Sequence, residues 1–163
     1  MDYKLIAIII AIVDFVLYVA YIWGRYGIQK SISISYYDLP AGSRVLFRVF
    51  IWILSLAVIL SGIGWDNGLF FTSGAMLSLV GIFSNIKDKD KFVIHMIGAI
   101  GGIATCFCAI FYESAIVGIW TLVSAFVLLS IVFQFGNEKH LIWNAEVVSF
   151  SILITSILYL INQ

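Results

Sequence analysis

The sequence predicts an all-α, polytopic transmembrane bundle of about six antiparallel helices, and three observations carry that prediction. Hydrophobic residues make up 63% and charged residues 11% of the 163 positions, against roughly 45–50% and about 25% in an ordinary soluble domain. The apolar residues gather into runs of about 20, the length a helix rising about 1.5 Å per residue needs to cross hydrocarbon. The connections between runs are short, so sequential helices should be antiparallel neighbours in a single integral membrane domain spanning residues 1–163.

Six runs can be marked, at about 5–24, 45–63, 69–86, 92–112, 115–135 and 141–161. The first has the hydrophobicity of a cleaved signal peptide, but Asp14 interrupts it and no small-x-small cleavage site follows, so it is expected to be retained. The second run follows a redirection of the chain by Asp38 and Pro40, the one proline, with Ser43 as its expected N-cap. The third run is the shortest, which leaves a five-helix reading open. It spaces Gly74, Ser78, Gly81 and Asn85 at i, i+4, i+7 and i+11, a row of small residues that lets another helix backbone approach closely. In the fourth run His95 shares a face with Gly98 and Gly102, a small-residue surface that suits packing within the chain or a homo-oligomer. Cys106 and Cys108 lie two apart in the same run and point to different faces, so they read as packing residues and not as a disulfide or a metal pair.

Net charge is zero, yet the nine basic residues are distributed unevenly. Arg25, Lys30, Arg44 and Arg48 flank the first connection, Lys87, Lys89 and Lys91 the third, and Lys139 the fifth; Lys4 alone lies on the other side. The positive-inside rule then places the odd connections in the cytoplasm and both termini outside. The second and fourth connections, around Asp66 and Glu113, carry acid and no base, in keeping with that orientation.

Ionisable groups in hydrocarbon are costly and ask for a partner or a wet cavity. Asp14, Tyr18, Tyr21 and Arg25 form one stripe on the first helix, expected to face protein. The second run lines up Arg48, Trp52 and Ser55, and the sixth lines up Trp143, Glu146 and Ser149. Counted from the cytoplasmic helix ends, Arg48 and His95 lie roughly 5 Å deep, Glu146 about 8 Å, and Asp14 roughly 16 Å from Arg25. Asp14, Arg48, His95 and Glu146 are therefore the candidate intramembrane site, arranged around a polar cavity open to the cytoplasm. The structural alternative is an Arg48–Glu146 ion pair, with Asp14 and His95 satisfied by Tyr, Ser or backbone carbonyls.

The stretch SISISYY, residues 31–37, alternates polar and apolar residues, which in an extended chain would put Ser31, Ser33 and Ser35 on one side. A lone strand cannot cross a bilayer, so this segment should lie at the interface or fold back into the bundle mouth, with Tyr36 and Tyr37 at headgroup level. Ser31, Ser33, Ser35, Tyr36, Tyr37 and Asp38 are the candidate loop-binding residues. On these residues the chain resembles an uncharacterised family of small bacterial inner-membrane proteins whose first cytoplasmic loop carries a SISxYY signature. Gly64, Trp65 and Asp66 resemble that family's Gly-aromatic-Asp, His95 falls where its mid-chain helix opens with His, and Trp143 to Glu146 resembles an aromatic-x-x-Glu opening its last helix. The family pattern has Arg-Asp shortly after the Tyr pair, whereas here Arg44 is followed by Val45. The resemblance implies a multi-pass protein of a bacterial inner membrane and no particular chemistry.

Three function classes fit these residues. Translocation of protons, ions or a small solute, by a monomer or an oligomer, would use the acid-bearing stripe and the polar layer. A membrane sensor, scaffold or effector would use SISISYY and the run from Lys87 to Lys91 toward lipid headgroups or a cytoplasmic partner; the alternating charges of that run suit a solvated turn. A zinc-dependent lipid hydrolase, on the distant model of the alkaline-ceramidase-like enzymes, would need His95, His140 and Glu146 together, since catalytic zinc takes three protein ligands. The sequence itself calls for no cofactor and no metal. Membrane lipids are the expected partners; there is no phosphate-binding glycine loop, no supported Ser-His-Asp spacing and no basic soluble surface for nucleic acid.

Overall fold

The computed structural model describes residues 3–162, which form seven α-helices and two single 3₁₀ turns, with no strand among the described residues. The helices are α1 (Tyr3–Tyr26), α2 (Ser35–Asp38), α3 (Val45–Trp65), α4 (Gly68–Ile82), α5 (Lys89–Glu113), α6 (Ala115–Phe135) and α7 (Leu141–Ile161). Five of them, α1, α3, α5, α6 and α7, are long and apolar enough to cross a membrane. The third apolar run is not among them. Its helix, α4, has 15 residues and is about 22 Å long, well short of a hydrocarbon core of about 30 Å. It stops at Ile82 because Ser84 and Asn85, which the hydropathy pattern places inside the run, sit in a turn where their side chains bond Arg48 and Tyr37.

Local chemistry sets the other boundaries. Gly27 adopts a left-handed conformation (φ 78°) beyond the end of α1, and its amide bonds the Trp23 carbonyl at 2.9 Å, a common helix stop that suits glycine. Asp66 takes the same region (φ 52°) after α3, and Asn67 caps α4 by accepting from the Leu69 amide at 2.9 Å. Asp88 caps α5 through the Asp90 amide and pairs with Lys91 at 3.1 Å; that ammonium holds the Asp88 carboxyl below the usual carboxylate range. Ser43 does not cap α3. It lies in the 3₁₀ turn Ala41–Ser43, and Arg44 occupies the cap position with no side-chain bond, because the turn already leads the backbone into helical geometry.

The most intimate packing is around α4. A Cβ on Gly74 would meet the Ser55 carbonyl oxygen of α3 at 2.6 Å, and one on Gly81 would meet the Trp52 ring at 2.7 Å. On the opposite side α5 brings its own glycines: a Cβ on Gly98 would lie 2.7 Å from the Met76 carbonyl oxygen and one on Gly102 would lie 2.7 Å from Leu77. The Gly98 and Gly102 face is thus closed over by α4 within the chain. Ser73 donates to the Gly102 carbonyl at 2.6 Å, and Ser55 donates to that of Gly74, so hydroxyls stitch the contacts that glycine permits. Helix α6 packs on α5 and α7, where Thr121 and Ser156 bond at 2.7 Å. Cys106 is buried and Cys108 exposed.

The connections meet in two groups. Asn67 Nδ2 donates to Glu113 Oε1 at 2.6 Å, joining the second and fourth, and the Lys4 ammonium stands 4.8 Å from the centre of the Trp65 ring. At the basic end, His140 Nδ1 bonds the Gln29 carbonyl at 3.2 Å and Tyr37 bonds both Asn85 and the Lys87 amide, joining the first, third and fifth, while the Trp143 amide of α7 donates to the Lys30 carbonyl at 3.1 Å. An apolar cavity of about 40 Å³ lies between α1, α3, α4, α5 and α7, lined by residues such as Ala7, Ala11, Leu54, Leu77 and Leu153.

These approaches predict a sharp contrast between two glycines three residues apart. Gly98→Ala should lower stability by about 1–3 kcal/mol, since the methyl meets a backbone oxygen that cannot move aside. Gly101→Ala, whose Cβ finds nothing nearer than the Met76 sulfur at 3.6 Å, should be neutral or stabilising by up to about 1 kcal/mol. Thermal unfolding in detergent micelles compares the two.

Candidate functional site

The segment 31–39 is not extended. It makes a turn and then α2, and it is packed against the bundle as deeply as any core element: Ile32 is 2%, Ser35 0% and Leu39 1% exposed. Three serines at alternate positions cannot share a face in helical geometry, and these take three different jobs. Ser31 Oγ accepts from the Ile34 amide at 3.0 Å, and Ser35 Oγ donates to the Ile32 carbonyl, so two hydroxyls close the turn on itself. Short polar side chains compete with strand pairing in this way. Ser33 turns away from its own loop toward α5 and bonds His95 Nε2 at 2.9 Å.

The bundle grips this turn from several helices. From α1, Tyr18 bonds Ser35 Oγ at 2.7 Å while its ring stacks on Phe50 of α3, with centroids 4.0 Å apart. From α7, Glu146 accepts the Ile32 amide, and the α7 amide of Trp143 bonds Lys30. From α3, Arg48 donates to Tyr36 at 3.2 Å and to Ser84 at 3.1 Å. Tyr37 bridges to the turn after α4, donating to Asn85 and accepting from the Lys87 amide, both at 2.9 Å. Ile32, Tyr36 and Leu39 add apolar contact with Ile22, Phe47 and Trp143.

Three of the four sequence-predicted intramembrane residues, Arg48, His95 and Glu146, therefore converge, but they do so on the polypeptide of residues 31–37. Arg48 and Glu146 form no ion pair within 4 Å; the one such pair among the described residues is Lys91–Asp88. His95 is buried, and its Nδ1 has no hydrogen-bond partner of good geometry, although the Val80 and Phe83 carbonyls lie close enough to act on it. Asp14 stands apart. It is half-buried in a lateral groove between α1 and α3, beside Leu17, Tyr18, Tyr21, Val49 and Phe50, and its Oδ2 is buried with no hydrogen-bond partner. Of the rest of its stripe, Tyr18 faces protein as the spacing suggests, whereas Tyr21 and Arg25 are exposed.

Of the loop candidates, Ser31, Ser35 and Tyr36 are buried, Ser33 and Tyr37 half-buried, and Asp38 exposed. Among the described residues no three His, Cys, Asp or Glu side chains gather as a metal site would require; His140 is engaged by the Gln29 carbonyl at 3.2 Å. Ser84 and the Ile32 amide were not legible as site groups, the first because it reads as the tail of an apolar helix, the second because a backbone donor leaves no mark in a sequence. No protein-family model matches the chain, and neither a curated protein nor a solved structure shows significant similarity to it.

Removing the Glu146 acceptor strands a buried amide, which costs about 1–3 kcal/mol. In a Cys108→Ala background, a cysteine in place of Ser35 should react slowly with a membrane-impermeant maleimide. Adding Glu146→Ala should speed that labelling about tenfold, and Glu146→Gln, which keeps a side-chain oxygen, should speed it much less.

Proposed function

We propose that the protein is a multi-pass sensor or effector of a bacterial inner membrane, in which residues 31–39 are a cytoplasmic latch docked into the bundle end. Five helices cross the bilayer, α4 enters without spanning it, and the basic connections face the cytoplasm in accord with the positive-inside rule. One observation carries the reading: Arg48, His95 and Glu146 each end on the latch. Side chains that line a conduit would instead present their polar atoms to open space. The cavity deeper in the bundle supports the same view, since its lining is apolar and water needs two to four polar partners to occupy such a space.

A latch held by a handful of polar bonds is a two-state element, docked or released, and any ligand that favours one state shifts its population. Release would expose Ile32, Tyr36 and Leu39 together with the polar ends of three helices, a surface with new chemistry for a partner. Resemblance to the SISxYY family supports the bacterial setting.

Translocation is the second reading, favoured by the unpartnered Asp14 oxygen about halfway along α1. The two separate in proteoliposomes loaded with a pH-sensitive dye. The latch reading expects proton flux no greater than in protein-free vesicles, both for the wild type and for Glu146→Ala. Flux that Asp14→Asn abolishes, or that Glu146→Ala increases, would establish a gated path and remove the sensor reading.

A further inference from the structure

Two tyrosines of the latch gather an unusual amount of positive charge. Tyr36 and Tyr37 meet edge to face with centroids 5.1 Å apart. The Arg44 guanidinium lies 5.4 Å from the centre of the Tyr36 ring and 6.0 Å from that of Tyr37, the Arg48 guanidinium 5.7 Å from Tyr36, and the Lys87 ammonium 4.8 Å from Tyr37. Aromatic faces attract cations through a quadrupole but carry no net charge, so three positive charges remain to be balanced. No carboxylate balances them at close range. Asp88, near Lys87 in the chain, pairs with Lys91, and Asp38 is exposed and forms no ion pair within 4 Å.

The donor inventory points the same way. Arg48 is engaged by Ser84 and Tyr36 and so contributes charge more than free donors. Arg44 Nε is buried with no hydrogen-bond partner, and Lys87 is exposed on the turn after α4, where its ammonium can reach a ligand arriving from the membrane surface. The Arg44 guanidinium and the Lys87 ammonium share the Tyr37 ring, at 6.0 and 4.8 Å from its centre, and guanidinium and ammonium donors are the groups that suit phosphate oxygens. The cluster also sits at the bundle end where the basic connections meet, which is the level of lipid headgroups in a spanning orientation.

We infer that Arg44, Arg48 and Lys87, gathered about the Tyr36–Tyr37 ring pair, form a binding site for a phosphate group, presented by an anionic lipid headgroup or free in solution. The site deepens the latch reading and rests on it for its consequence: a phosphate held by Arg44 and Lys87 pins the two latch tyrosines, so its occupancy sets how often the latch releases.

Binding of a fluorescent phosphatidylglycerol to the full chain, in neutral maltoside micelles, tests the site. Saturable binding is expected, weakened about fivefold by Lys87→Gln and again by Arg44→Gln, the effect of about one surface cation each. Fluorescent diacylglycerol, which lacks the phosphate, should not bind saturably. Displacement by millimolar inorganic phosphate would identify a soluble source for the same chemistry, and resistance to it would identify the lipid. Binding unchanged in the variants, or equal binding of diacylglycerol, overturns the proposal. Should Arg44→Gln fail to fold, Lys87→Gln on its exposed turn decides alone. Maleimide labelling of Ser35→Cys, Cys108→Ala in the same micelles without phosphate reports the latch separately. Protection without phosphate binding would remove the site and leave the latch; binding without protection would do the reverse.

Discussion

A buried peptide N–H must find an acceptor, and in this chain the requirement falls hardest on Ile32. Its side chain is drawn into the apolar cluster with Ile22 and Trp143, which carries its backbone below the surface where water could serve. Glu146 answers by accepting that amide. The turn geometry of residues 31–35, the placement of Ser33 against His95 and the presentation of Tyr36 to Arg48 all follow once Ile32 is fixed. An acid within an apolar helix thus serves backbone from a distant connection.

The second organising contact is steric. Glycines on α4 admit α3, and glycines on α5 admit α4, so three helices approach through four positions that no larger residue could occupy without displacement. Such closeness brings Ser55 and Ser73 to carbonyls on the neighbouring helix. In a bilayer, dispersion and hydrogen bonding would hold these helices, because burying apolar surface away from lipid contributes little. The rigid α3–α4–α5 unit then carries Arg48, Ser84 and His95 at fixed relative positions, which is what a docking site for residues 31–37 demands.

Much of this was legible in the sequence, and the failures have physical causes. Helices α6 and α7 fall where the apolar runs end, at 115–135 and 141–161, because hydropathy measures the property that places a helix in lipid. The packing role of Gly74, Gly81, Gly98 and Gly102 follows from spacing alone. SISISYY misled because period-two alternation is a strand signal only when a neighbouring strand exists to pair with; without one, the hydroxyls of Ser31 and Ser35 bond their own turn. The site residues were identified by their cost in hydrocarbon, a criterion that finds Arg48, His95 and Glu146 but says nothing of what they hold. It also groups Asp14 with them, although in space it belongs to a different face of α1 and α3.

The shortness of α4 gives the molecule an uneven height. At about 22 Å, α4 is about 8 Å shorter than a hydrocarbon core of about 30 Å, and the chain just beyond its end is held by the Tyr37–Asn85 and Arg48–Ser84 bonds. In the spanning orientation proposed above, irregular chain would fill a berth that lipid tails would otherwise have to cover by thinning. In that orientation hydrophobic mismatch would be built into one sector of the protein: a thicker bilayer would strain this sector first, and the strain would fall on the segment lodged there before it reached any full-length helix.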